Sequence, residues 1–232
     1  MSEPIQIVFA LYPGITQLDF TGPFEVLRRV PNTQVIVASV VGGTLSADSG
    51  LAFADLRRLA DLERCDVLCV PGGAGQAEAV RDRELVAQVR RLGQQARYVT
   101  SVCTGSLILA AAGLLRGKRA ACHWAWREML DEAGAIADSG RVVRDGHVIT
   151  GGGVTAGIDF GLSLAAELAG ETVAQSIQLS IEYDPAPPFH AGRPERAPAD
   201  VLRGVRQRIA RMYPERRAAM EQALAQEATL AR

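Results

Sequence analysis

The sequence is poor in the side chains that several common kinds of site require. Lys118 is the single lysine among 25 basic residues, and it lies in a turn-like Leu-Arg-Gly-Lys-Arg segment. A Schiff-base lysine therefore has one poorly placed candidate, and we discount that chemistry. The four cysteines lack the paired spacing of a zinc site. This pattern predicts no metal centre, and free thiols in a reducing cytoplasm rather than a disulfide framework.

Strong net charge and long apolar runs are also absent. The 25 basic and 26 acidic residues leave a net charge of −1, whereas general nucleic-acid binding depends on a strong basic excess. No uninterrupted apolar run approaches the roughly 18 residues of a membrane span, and the N-terminus does not resemble a signal peptide. We therefore predict a cytoplasmic protein that binds neither nucleic acid nor membrane.

Strand-like and helix-like segments alternate along the chain. Short apolar runs predict strands over residues 5–11, 34–41, 66–70 and 98–102, followed by a hairpin over residues 141–150. Helical periodicity is expected over residues 78–95, 155–168 and 199–228, with a break in the last helix at Pro214. This alternation predicts an α/β fold with a mostly parallel sheet between helices.

Two regions of the chain differ in composition. Residues 1–182 carry the α/β pattern, whereas residues 183–198 are rich in proline and precede an arginine-rich amphipathic helix. We predict an α/β domain over residues 1–182 and a strap with a C-terminal helix over residues 183–232. The second region is expected to belong to the same globular unit or to a dimer interface, because an amphipathic helix needs an apolar surface to cover.

A cysteine lies where a strand turns sharply into a helix. The β-branched run of residues 98–102 ends at Cys103, and Thr-Gly-Ser and an alanine-rich run follow it. A helix N-terminus carries partial positive charge and unsatisfied N–H donors, and so it favours a thiolate. The alternative is a small buried apolar residue at the end of a core strand.

Three further unusual segments follow predicted strands. Asp19 lies between the first strand and a helix that Thr21-Gly22-Pro23 is expected to open, Gly72-Gly73 follows the third strand, and Gly151-Gly152-Gly153 follows the hairpin. Ligands of parallel sheets bind beyond the carboxyl ends of the strands, which favours a functional thiol at Cys103.

Each of these segments also has a plain structural explanation. Gly72 and Gly73 either donate backbone N–H groups to a developing oxyanion or give the strand a flexible exit. Asp19 is either a helix-cap neighbour or, facing Cys103, an acid/base group whose pKa burial raises. Gly151-x-Gly153-x-x-Ala156 follows a hairpin instead of opening a βαβ unit, so we do not predict a nucleotide site. Of three histidines, His123 follows a strand end and is the candidate to approach Cys103.

Taken together, these residues resemble the ThiJ/PfpI-like (class I glutamine amidotransferase-like) superfamily. The matching stretches are Gln17-Leu18-Asp19-Phe20-Thr21-Gly22-Pro23, Val70-Pro71-Gly72-Gly73, Thr100-Ser101-Val102-Cys103-Thr104-Gly105-Ser106, His123-Trp124 and Thr150-Gly151-Gly152-Gly153-Val154. Aspartate at position 19 and threonine after the cysteine depart from the glutamate of protease-like and deglycase-like members and from the histidine of the protease-like ones. They match the branch that hydrates isocyanides.

The resemblance implies a flavodoxin-like three-layer sandwich, a homodimer, no cofactor, and hydration of a small-molecule isocyanide to an N-substituted formamide. It implies that Cys103 is the nucleophile, Asp19 the acid/base carboxylate and Thr104 a neighbour that shapes the site. It also places a backbone N–H of Gly73 near the nucleophile, and Val154 where relatives carry an aliphatic residue close to the cysteine helix. The reaction it suggests proceeds through a cysteine thioimidate.

Two alternatives stay open at this point. A different cysteine-dependent activity of the superfamily, methylglyoxal hydration or deglycation, uses a similar site. A non-catalytic redox or ligand sensor needs only an accessible, reactive thiol. A DNA-binding regulator of the AraC type would need an appended helix-turn-helix module, and residues 199–232 are too few for the two such motifs of that architecture.

Overall fold

Short apolar and β-branched runs form the strands of the molecule, whose computed structural model describes residues 3–230. The strands in this part of the chain are β1 Ile5–Ala10, β2 Thr33–Ser39, β3 Gly43–Ser46, β4 Ala52–Arg58, β5 Val67–Val70, β6 Tyr98–Val102, β7 Arg119–Ala121, β8 Ile136–Asp138, β9 Val142–Asp145 and β10 Val148–Gly151. Eight of them form one sheet in the order β3-β4-β2-β1-β5-β6-β10-β9, and β7 and β8 form a separate pair.

The central strands of the large sheet run parallel, and its two edges are antiparallel hairpins. β1 pairs in parallel with β2 and β5, and β6 pairs in parallel with β5 and β10. The edge pairs β3–β4 and β9–β10 are antiparallel. Every residue of β5 and β6 is buried, as expected for strands covered on both faces. The predicted α/β class is confirmed.

Helices cover the sheet in two groups. They are α1 Gln17–Leu27, α2 Gln76–Arg81, α3 Arg83–Gln95, α4 Gly105–Ala111, α5 Glu128–Glu132, α6 Ala156–Ala169, α7 Glu171–Ser180 and α8 Ala199–Leu230. α1, α6 and α7 pack in one group, while α2, α3, α4, α5 and α8 pack in the other. The C-terminal helix α8 lies on α2 and α4, so it reaches the part of the fold that follows β5 and β6.

Two helices differ from the expectation. α1 begins at Gln17 rather than at Thr21, because the Thr16 N–H donates to the Gly72 carbonyl and fixes the chain one turn earlier. Asp19 therefore lies inside the first turn of the helix. α8 runs unbroken through Pro214, since this proline is exposed and the Ala210 carbonyl that loses its N–H partner is exposed too.

The carboxyl ends of β1, β5, β6 and β10 lie next to one another, on the side of the sheet at which these strands end. Val70 pairs in register with Ser101, and Val102 pairs with Gly151. The loops that leave these ends therefore start side by side. This placement brings segments that lie far apart in the sequence into one site.

Candidate active site

Cys103 occupies a tight turn between β6 and α4. Its backbone φ is +57°, a left-handed conformation that is uncommon for a residue with a side chain. The Cys103 N–H donates to the Gly151 carbonyl at 3.1 Å, and the Ser106 hydroxyl donates to the Cys103 carbonyl at 3.0 Å. These bonds hold the turn, so the strand-to-helix corner predicted from the sequence is confirmed.

The turn needs a very close approach between α4 and β5. A Cβ atom at Gly105, the first residue of α4, would lie 2.1 Å from the Val70 carbonyl oxygen. Glycine at this position therefore lets the start of the helix lie directly against the end of the neighbouring strand. The thiol of Cys103 is thereby fixed at the junction of both strand ends.

Asp19 is fully buried beside this turn. Its Oδ2 accepts a hydrogen bond from the Gly72 N–H at 3.0 Å, while its Oδ1 is buried with no hydrogen-bond partner of normal geometry in the described chain. Burial raises the pKa of Asp19 to about 7, although interactions with the Cys103 thiol and the Gly72 N–H oppose the rise. A carboxyl with this pKa can both accept and deliver a proton near neutral pH.

The pKa of the Cys103 thiol is raised well above its ordinary value. Burial is the largest cause, and the negative charges of Asp19 and Cys122 add to it, while the Thr104 backbone N–H opposes it. The Thr104 N–H at the start of α4 lowers the pKa of the thiol, as expected of a helix N-terminus, but burial and Asp19 outweigh it. The thiol and the carboxyl each affect the pKa of the other, so they titrate as a coupled pair.

Gly72 and Gly73 position the groups of this pair. The Gly72 N–H is bonded to Asp19, and the Gly73 N–H donates to Thr104 Oγ1 at 3.1 Å. Both donors are thus bonded to side chains of the protein. A Cβ atom at Gly72 would lie 2.5 Å from the Thr104 nitrogen and 2.7 Å from Asp19 Oδ2, so the contact requires glycine.

His123 is hydrogen-bonded within its own loop. Its Nδ1 accepts a hydrogen bond from the Ala125 N–H at 3.3 Å. Burial lowers the pKa of His123, and the nearby positive charges of Arg216 and Arg127 lower it further. The structure thus brings Asp19, rather than a histidine, to the thiol.

A cavity of about 640 Å³ lies beyond the ends of β7 and β10. Cys122, His123, Gly153 and Val154 line it on one side, and the proline-rich strap over residues 192–196 lines the other. Cys122 also lies close enough to Cys103 to raise the pKa of its thiol. Cys103 and Asp19 are not among the residues that line the cavity, so Cys122 connects the two regions. Val154 lies in the cavity wall as a half-buried side chain.

Two groups near the pair, Tyr12 and Arg216, are not predicted from the sequence. The Tyr12 hydroxyl donates to the Pro71 carbonyl at 3.0 Å, and burial followed by the charges of Asp19 and Cys103 raises its pKa. Tyr12 follows β1, so the rule that ligands bind at strand ends offered a signal for it. Arg216 reaches the same region from α8, and nothing in an arginine-rich helix distinguishes it in advance.

No metal-binding group of three or more histidine, cysteine or acidic side chains is found within residues 3–230. No helix in the same part of the chain is long and apolar enough to cross a bilayer.

A buried cysteine at a strand-to-helix turn and a buried carboxyl beside it, beyond the ends of parallel strands, define an α/β protein with a candidate active site at Cys103. The profile of the DJ-1/PfpI family matches residues 5–167. The chain belongs to the DJ-1/PfpI family, and the resemblance inferred from the sequence is confirmed.

Three similar proteins show which kinds of protein this chain resembles. The isonitrile hydratase of Pseudomonas putida is 49% identical over 206 residues, which cover 89% of this chain and 90% of that protein. The crystal structure of a ThiJ/PfpI family protein from Pseudomonas syringae superposes with a TM-score of 0.91 at 41% identity, covering 94% of this chain and 90% of that one. The transcriptional regulator CdhR of Pseudomonas aeruginosa is 32% identical over 75% of this chain but 53% of its own length.

Proposed function

We propose that this protein hydrates isocyanides to N-substituted formamides, with Cys103 as the nucleophile and Asp19 as the proton carrier. The observation that carries the proposal is the buried pair formed by a thiol and a carboxyl whose pKa is about 7. The extensive identity to an isonitrile hydratase supports the substrate class. A thiol paired with a carboxyl suits this substrate, because the isocyanide carbon must gain both a sulfur atom and a proton. The thiol supplies the sulfur, and the carboxyl delivers the proton.

In the first half of the proposed reaction, the Cys103 sulfur attacks the terminal carbon of R–N≡C. Asp19 takes the thiol proton and delivers it to the same carbon, and the product is a thioimidate, R–N=CH–S–Cys103. No atom is gained or lost, since the S–H bond adds across one carbon. Covalent catalysis of this kind divides one difficult addition into two easier ones.

In the second half, water adds to the thioimidate carbon while Asp19 accepts one of its protons. The nitrogen gains a proton, the carbon–sulfur bond breaks, and the formamide R–NH–CHO leaves as the Cys103 thiol is restored. Gly72 and Gly73 act through the groups they hold, Asp19 and Thr104, rather than on the substrate. The cavity lined by His123 and Val154 would take the R group.

A comparison of two substrates tests this proposal. The purified protein is incubated in parallel with an aryl isocyanide and with methylglyoxal, and formamide and lactate are measured. We expect formamide only, with its formyl oxygen derived from labelled water, and an acid-quenched Cys103 peptide that carries the mass of the isocyanide. Lactate without formamide would assign the methylglyoxal activity instead, and turnover of neither would leave a sensor.

We also propose that the protein is a homodimer and that residues 183–232 pack on the α/β domain as part of the same unit. The second statement is supported by the contacts of α8 with α2 and α4. Light scattering measures the mass in solution directly. A mass of one chain would contradict the homodimer without affecting the proposed chemistry.

A further inference from the structure

Arg216 is a buried arginine that reaches the site from the C-terminal helix. Its side chain donates to the Gly73 carbonyl at 3.0 Å, to the Ala74 carbonyl at 3.3 Å and to Gln76 Oε1 at 3.2 Å. The guanidinium also lies 4.5 Å from the centre of the Trp126 ring. Only 7% of the residue is exposed, so α8 places a charged group inside the fold.

This charge has no matching carboxylate. Among the described residues Arg216 forms no ion pair, whereas its neighbour Arg217 is half exposed and pairs with Glu132 and Glu221. Burial lowers the pKa of Arg216, and the largest opposing interactions come from Tyr12 and Cys103. A buried cation without a carboxylate is destabilising unless hydrogen bonds and nearby anionic groups compensate for its lost hydration.

The hydrogen bonds of Arg216 fall on the segment that holds the reactive pair. The carbonyl of Gly73 accepts from Arg216, while the N–H of the same residue donates to Thr104 and the N–H of Gly72 donates to Asp19. The loop of Gly72 and Gly73 therefore connects the guanidinium to Asp19 and to Thr104. Thr104 is the residue that follows Cys103. A shift of this loop changes the position of the Asp19 carboxyl relative to the thiol.

We propose that Arg216 is a positioning residue of the site, which fixes the loop of residues 71–76 and supplies the positive charge that offsets the negative charge of the Asp19–Cys103 pair. The proposal deepens the proposed function and rests on it for the effect on turnover. It gives α8 a role in the chemistry, since removal of one side chain on this helix alters both the geometry and the field at Cys103.

The field at the pair has contributions from several elements. Five further titratable or charged groups interact with Cys103, Asp19 or Arg216, and they are Tyr12, Asp48, Cys122, His123 and Glu215. Cys103 also interacts with both Asp19 and Arg216. Glu215 is largely exposed and lies 3.7 Å from Arg81, so solvent screens its charge. Among these groups Arg216 is the buried cation. Arg127, which is half-buried, is a second positive charge in this region and acts on Cys122 and His123.

The test separates charge from packing with three variants. Arg216→Gln keeps an amide donor for the loop carbonyls but removes the charge, Arg216→Lys keeps the charge but loses the forked geometry, and Arg217→Gln removes a half-exposed charge from the same helix. The first readout is the rate of Cys103 alkylation by iodoacetamide against pH, followed by mass spectrometry of the Cys103 peptide. This readout needs no isocyanide turnover.

We expect the midpoint of the alkylation profile to rise by about one pH unit or more in Arg216→Gln, because an opposite charge that stabilised the anionic pair has been removed. Arg216→Lys should lie near the unaltered protein, and Arg217→Gln should coincide with it. In the isocyanide assay, kcat of Arg216→Gln should fall by about tenfold or more with little change in KM, as for a group that acts on the reacting pair.

Coincident alkylation profiles for Arg216→Gln and Arg217→Gln would overturn the proposal. Loss of the folded state in both Arg216 variants, seen by circular dichroism, would also overturn it, because the residue would then be purely structural. If the unaltered protein shows no formamide production but the alkylation midpoint shifts as expected, the proposed function fails and the role of Arg216 stands.

Discussion

Two buried cysteines on neighbouring strands show how different the same side chain becomes in different surroundings. Cys69 lies within β5, and Cys103 follows the end of β6, which is the next strand in the sheet. Their exposed fractions are 2% and 6%, and both are free thiols. Burial raises the pKa of each, to about 12 for Cys69 and well above its ordinary value for Cys103.

The difference between them lies in the backbone and in the neighbours. Cys69 has an extended backbone in register with Thr100, whose hydroxyl lies 3.1 Å from the sulfur and also donates to the Leu68 carbonyl. Cys103 has a φ of +57° and a carboxyl partner in Asp19. A buried thiol is thus inert by default, and it becomes a candidate nucleophile only when a turn and a proton acceptor are added.

Removal of each thiol in turn is expected to produce the largest effect. Cys103→Ala should lower kcat/KM for an aryl isocyanide by about 10⁴-fold or more, since the covalent step has no substitute. Cys69→Ala should leave turnover nearly unchanged and should lower only the stability, by about 1–2 kcal/mol for a lost buried contact. Formamide production and urea unfolding measure the two effects. Full activity in Cys103→Ala would rule out the proposed mechanism.

The second effect concerns the carboxyl that distinguishes the two sites. The folded-state pKa of Asp19, about 7, lies above its ordinary value of 3.8. The folded protein therefore holds more protons than the unfolded chain between these values, and stability falls as pH rises through this window. Asp19→Asn removes this penalty, which is at most about 4 kcal/mol for a shift of about three units.

Urea unfolding at pH 5 and pH 8 measures this difference. We expect Asp19→Asn to gain stability relative to the unaltered protein as pH rises, while its turnover falls by about 10²-fold or more because the proton carrier is lost. Such a gain in stability with a loss of activity is typical of a functional group held in an unfavourable place. Parallel stability profiles in the two proteins would show that the carboxyl is not strained by burial.

The contrast between the two cysteines was partly accessible from the sequence. Parallel strands place their carboxyl ends at one edge, so Cys103, Asp19 and Gly72-Gly73 were expected together, and the structure brings them together. The position of Cys69 inside an apolar run likewise predicts a core residue. These predictions rest on local pattern and topology, which the sequence encodes directly.

What the sequence did not predict depends on contacts between distant segments. The start of α1 is set by a hydrogen bond from Thr16 to Gly72, and the engagement of the two glycine N–H groups depends on where Asp19 and Thr104 come to lie. Arg216 meets Gly73 across 143 positions of sequence. Side-chain geometry of this kind appears only once the strands have been aligned.

A methyl group at Gly72 is expected to produce the third effect. Gly72→Ala places a carbon within 2.7 Å of Asp19 and Thr104 atoms, so the loop must move; we expect a loss of about 1–3 kcal/mol of stability and a clear fall in kcat. Gly204→Ala is the matched control, because no atom lies within 4 Å of its added carbon. In α8 this change should be neutral or stabilising by up to about 1 kcal/mol. Equal activity in both variants would show that the loop does not position the pair.

The smallest effect tests the backbone difference directly. At position 103 the φ of +57° favours glycine, so Cys103→Gly should be more stable than Cys103→Ala by about 1 kcal/mol. At position 69 the extended strand favours alanine, so Cys69→Gly should be less stable than Cys69→Ala by about 0.5–1 kcal/mol. Urea unfolding of the four variants gives both differences. Opposite signs are expected, because a side chain strains the turn and supports the strand; the same sign at both positions would mean that the turn at Cys103 is unstrained.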